Sequence, residues 1–91
     1  MIRRLKKLEK KLNILIVDGD VSEAEELENE LNREFDIVGT VFDGMKAVDE
    51  IIRKKPEVVL IDIMLPYIDG VGVIENAENV WNMNNYQYLL F

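Results

Sequence analysis

The 91-residue chain contains no cysteine and no histidine. These absences exclude disulfides, thiol nucleophiles, zinc sites built on either ligand and every catalytic triad that needs an imidazole. Any chemistry must therefore rest on carboxylates. Proline occurs twice and glycine five times, while 48% of residues are apolar, which describes an ordinary globular chain rather than a disordered one. No apolar run approaches the ~20 residues needed to span a bilayer, and the N-terminus is a basic amphipathic stretch without a hydrophobic signal core. A cytoplasmic protein with no membrane partner is expected. The length suits one small domain with a single modest core and leaves no room for a second.

Basic residues are scarce after the first twelve positions. Residues 1–12 carry a net charge of +5, from Arg3, Arg4, Lys6, Lys7, Lys10 and Lys11 against Glu9, whereas residues 13–91 carry −12. The acidic body would repel nucleic acid, and only the first segment could attract it. Ile2, Leu5, Leu8 and Leu12 recur at helical spacing between the basic residues, which predicts an amphipathic helix over 1–12. We read it as a solvated basic helix, with no nucleic-acid partner, followed by a domain over 13–91.

What the chain does have is alternation. Ile14-Leu15-Ile16-Val17 and Val58-Val59-Leu60-Ile61 are continuous apolar runs rich in β-branched residues, the pattern of strands buried on both faces of a parallel sheet. Each run ends in acid, Asp18-Gly19-Asp20 in the first case and Asp62 in the second. Ile37 to Val41 is a shorter and less apolar β segment, which places it near a sheet edge. Tyr86 to Phe91 is a candidate fourth strand. Ser22 and Glu25 have capping-box spacing, and Ala24, Leu27, Leu31 and Phe35 would share one helical face behind them. Met45, Val48, Ile51 and Ile52 mark a second helix, which ends at Arg53-Lys54-Lys55 before Pro56. Val73, Ile74, Ala77, Val80 and Trp81 mark a third, broken at Asn82 to Asn85. Strands alternating with helices through short loops predict a parallel sheet with right-handed crossovers. In such sheets ligands sit beyond the carboxyl ends of the strands, where Asp18 and Asp62 fall.

Three separated motifs now carry a resemblance: Ile14 to Asp18; Phe42-Asp43-Gly44 with Ala47; and Leu60 to Pro66 with Asp69-Gly70. Together they resemble the receiver domain of two-component response regulators, over about residues 12–80. The wording of Asp36 to Glu75 is most similar to the receiver of the stage-zero sporulation transcription factors. The resemblance implies a flavodoxin-like, three-layer α/β fold, here a truncated parallel sheet of three to four strands in the order 2-1-3-4 with an extra N-terminal helix. It further implies that Asp62 is the phosphoacceptor for a histidine kinase or phosphotransferase protein. Mg²⁺ would be held by Asp18, Asp62 and the Met64 backbone carbonyl, with Pro66, Asp69 and Gly70 shaping the following loop. Clustered carboxylates and a phosphoryl group need such a cation to neutralise their charge.

The departures from the family are as informative. Its second acid after strand one is Gly19 here, which predicts weak or absent Mg²⁺ binding, with Asp20 the candidate substitute. Receivers place a Ser or Thr after strand four and a Lys after strand five, yet no Ser or Thr follows Thr40 and no Lys follows Lys55. The expected sheet would expose an edge and an apolar face, to be covered by the N-terminal helix or by a homodimer. Two functions follow. One is a phosphoacceptor module of a phosphorelay, which is not a stand-alone enzyme. The alternative is a degenerate, unphosphorylated receiver that works as a protein-binding or dimerisation module, or a truncated fragment without function.

Overall fold

The computed structural model describes residues 11–62, 65, 70–81 and 87–90, with side chains described through residue 75. The expected helix over residues 1–12 and its covering role lie outside the described residues, save its last two positions. Four strands and three helices alternate: β1 (Asn13–Val17), α1 (Val21–Leu31), β2 (Asp36–Val41), α2 (Gly44–Lys54), β3 (Val58–Ile61), α3 (Gly70–Trp81) and β4 (Gln87–Leu90). The strands form one sheet in the order β2-β1-β3-β4, and every pairing is parallel. The expected order and the edge position of the Ile37–Val41 segment both hold. The tail supplies the fourth strand, with Val58 opposite Gln87 and Ile61 opposite Leu90.

The two apolar runs became the central strands because both of their faces are covered. In a pleated strand alternate residues face opposite sides. Leu15, Val17, Val59 and Ile61 point to one side and join Ala47 and Ile51 of α2 and Val73 of α3 in the core cluster, all fully buried. The intervening residues Ile14, Ile16 and Val58 are also buried. Helix α1 packs on β1 and β2 and buries Ala24.

Two expectations about α1 are corrected. Its N-cap is Asp20, whose Oδ1 accepts a 3.2 Å hydrogen bond from the Glu23 amide, so the helix starts earlier than a Ser22 cap would place it. Aspartate and serine are comparable caps, and the choice fell to Asp20 because β1 ends only three residues before it. At the other end the helix closes at Leu31, with Asn32 as its C-cap, so Phe35 lies beyond it rather than on its face. Helix α2 is capped by Asp43, which accepts from the Lys46 amide at 2.8 Å, and it stops at Lys55 in the left-handed conformation, followed by the buried Pro56.

Candidate functional site

The carboxyl ends of β1 and β3 lie side by side, because Val17 pairs with Ile61. Each strand extends its ladder by one further amide. The Asp18 amide donates to the Val41 carbonyl at 3.0 Å, and the Asp62 amide donates to the Val17 carbonyl at 2.8 Å. Both acids are thus held by main-chain bonds to a neighbouring strand, which fixes where their side chains leave the sheet.

Asp18 is fully buried. Its Oδ1 accepts from the Asp20 amide at 2.9 Å, while with Glu23 ionised its Oδ2 has no hydrogen-bond partner. A buried carboxylate oxygen left without a donor is costly, and such groups call for an explanation. Asp62 is half-buried, and Glu23, in the first turn of α1, is exposed. One carboxylate oxygen from each of Asp18, Glu23 and Asp62 falls within 4.8 Å of the other two. The concentration of negative charge acts on Glu23, whose carboxyl is pushed up from 4.5 to about 7. The largest cause is the hydrogen bond that its protonated form makes to Asp18, followed by partial removal from water and repulsion by Asp18, Asp62 and Asp20.

Of the residues singled out from the sequence, Asp18 and Asp62 are brought together. Asp20 is not part of the acid group, since its side chain is engaged in capping α1. Met64, Pro66 and Asp69 lie outside the described residues, whereas Gly70 is the buried first residue of α3. Glu23 is the residue the sequence reading missed. The signal was present: with the cap at Asp20, Glu23 occupies the third helical position, which faces back toward the end of β1.

An open parallel sheet wound by helices, with converging carboxylates at the carboxyl ends of its central strands, defines a flavodoxin-like α/β domain. Residues 14–85 match the response regulator receiver domain, and the chain belongs to that family. It is 40% identical over 71 residues to the probable transcriptional regulator ycf27 of Guillardia theta, an alignment covering 78% of this chain and 28% of that protein. The signal receiver domain of the response regulator NarL from Mycobacterium tuberculosis superposes with a TM-score of 0.79 at 25% identity, covering 90% of this chain and 66% of that one. The CheX–CheY–BeF3–Mg²⁺ complex of Borrelia burgdorferi gives a TM-score of 0.76 at 27% identity, covering 87% and 60%. The chain therefore spans less than two thirds of these relatives' lengths. Among the described residues, no helix is long and apolar enough to cross a membrane.

Proposed function

We propose that this receiver domain accepts a phosphoryl group on Asp62 from a histidine kinase or phosphotransferase protein. The observation that carries the reading is the placement of Asp62 at the end of central strand β3, held through its amide to Val17 and beside the buried, partly unsatisfied carboxylate of Asp18. The donor set, hard anionic oxygens with one orphaned, suits a hard divalent cation. Asp18, Asp62 and the Met64 carbonyl would hold Mg²⁺, which when bound would neutralise the charge gathered at the acceptor. The Borrelia burgdorferi complex, which contains BeF3 and Mg²⁺, supports a phosphoryl-like group and this cation in a site of this kind.

In the transfer, one Asp62 oxygen forms a bond to phosphorus while the bond from phosphorus to the donor's imidazole nitrogen breaks, that nitrogen keeping the electron pair. The product is an acyl phosphate on Asp62. What the chain itself contributes is position: main-chain anchoring of both strand ends fixes the acceptor oxygen, and burial keeps Asp18 from turning away. The similarity to a probable transcriptional regulator, and the resemblance of residues 36–75 to the stage-zero sporulation receivers, support transcription as the output of a longer protein.

A second reading, a receiver that binds partners or a second copy without being phosphorylated, is favoured by Gly19 where the family has an acid. Intact mass after incubation with a small phosphodonor and Mg²⁺ separates the two. The expected result is a gain of ~80 Da, one phosphoryl group replacing a proton, in the native chain and none in Asp62→Asn. Equal masses before and after incubation would overturn phosphotransfer and leave the binding role.

A further inference from the structure

Glu23 stands at the third position of α1, counted from the Asp20 cap. A glutamate there ordinarily reaches back to the amide of the cap residue and completes a capping box. In this chain that amide is taken, since Asp20 N donates to Asp18 Oδ1 at 2.9 Å. Glu23 is left without its usual partner, and its carboxylate lies with those of Asp18 and Asp62, all three within 4.8 Å. In addition, Asp18 is fully buried, and with Glu23 ionised its Oδ2 has no hydrogen-bond donor. Three converging carboxylates, one of them buried with an oxygen that lacks a donor once Glu23 is ionised, fit a cation site.

We infer that Glu23 supplies the carboxylate that Gly19 cannot, so that the divalent-ion site is built from Asp18, Glu23 and Asp62, its third acid coming from the first turn of α1 instead of the loop after β1. The inference rests on the reading of this site as a Mg²⁺ site. The substitution is chemically reasonable because glutamate has one more methylene than aspartate. That extra reach lets a ligand based on the helix approach a position otherwise served from the loop. Asp20 remains the cap and contributes no ligand.

Titration calorimetry with Mg²⁺, and separately with Mn²⁺, on the native chain and three variants tests this. Glu23→Gln keeps a side chain suited to the third helical position, and Asp20→Ser keeps a good cap without its charge. Far-ultraviolet circular dichroism confirms that each variant folds. Removal of partners outside the coordination sphere typically weakens metal sites by about 10–100-fold, so loss of a direct ligand in Glu23→Gln should weaken binding at least tenfold. Asp20→Ser should bind nearly as the native chain does, and Gly19→Asp added to Glu23→Gln should restore affinity. Unchanged affinity in Glu23→Gln, or an equal loss in Asp20→Ser, would overturn the role of Glu23 while leaving a metal site in place. Failure of the native chain to bind either ion would overturn that role together with the Mg²⁺ reading beneath it.

Discussion

The Lys54 ammonium donates a 2.8 Å hydrogen bond to the Val38 carbonyl, at the residue that the pairing of β1 with β2 skips. Ile14 pairs with Ile37 but Leu15 pairs with Gly39, so Val38 is the extra residue of a bulge. A bulge leaves its residue outside the ladder. Lys54, at the end of α2, supplies a donor there from another element.

Gly39 belongs to the same arrangement. A Cβ at this position would come within 2.9 Å of Lys54 Nζ and 3.1 Å of Leu15 Cδ1. Alanine would push the lysine end aside and cost the bond to Val38, with only a small adjustment asked of Leu15. Lys54→Met should destabilise the fold by about 1 kcal/mol, and Gly39→Ala by a similar amount. Because both lose the same bond, the double variant should lose clearly less than the sum of the two. Urea unfolding of the four proteins measures the coupling, and strict additivity would contradict the shared mechanism.

Glu50 gives a pH dependence whose sign is set by its cations. The bond to the Lys54 ammonium, with a further contribution from Arg53, holds its carboxyl below the ordinary 4.5, and the Lys54–Glu50 distance is 3.1 Å. A carboxyl with a depressed folded pKa stabilises the fold fully above its unfolded value, and that contribution disappears as pH falls through the folded one. Native protein should therefore exceed Glu50→Gln in stability at pH 7 by roughly 0.5 kcal/mol, as helical pairs of this spacing do. The gap should close progressively below pH 4.5. Thermal melts of both proteins across the acid range provide the check.

Asn13 and Glu57 tie the amino ends of β1 and β3 together. The Glu57 amide donates to Asn13 Oδ1 at 2.6 Å, and the Asn13 amide donates to a Glu57 carboxylate oxygen at 3.2 Å. Asn13→Ala removes the acceptor of the Glu57 amide and should cost about 0.5–1.5 kcal/mol. Asn13→Asp preserves an acceptor but sets a second acid beside Glu57, so it should recover only part of the loss, and more of it at low pH than at pH 7. Denaturant midpoints at the two pH values distinguish these outcomes.

The strands were legible because their signals are local. Ile14 to Val17 and Val58 to Ile61 are apolar at every position, and only a strand covered on both faces uses such a run. The pairing of Asn13 with Glu57 was not legible, since the two are far apart in the chain and meet only when β1 and β3 lie in register. The bulge at Val38 was equally hidden, because what makes it tolerable is a lysine on a helix that follows β2.

For the site the division is the same. The sequence by itself determined that Asp18 and Asp62 end apolar strands, and its resemblance to receivers marked Gly19 as standing where that family has a second acid. It offered Asp20 as the replacement because nearness along the chain was the only guide. The tertiary structure gives Asp20 another task, for a physical reason: its side chain caps α1, and its amide is held by Asp18. That leaves Glu23, brought round by the first turn of the helix, as the acid that joins Asp18 and Asp62.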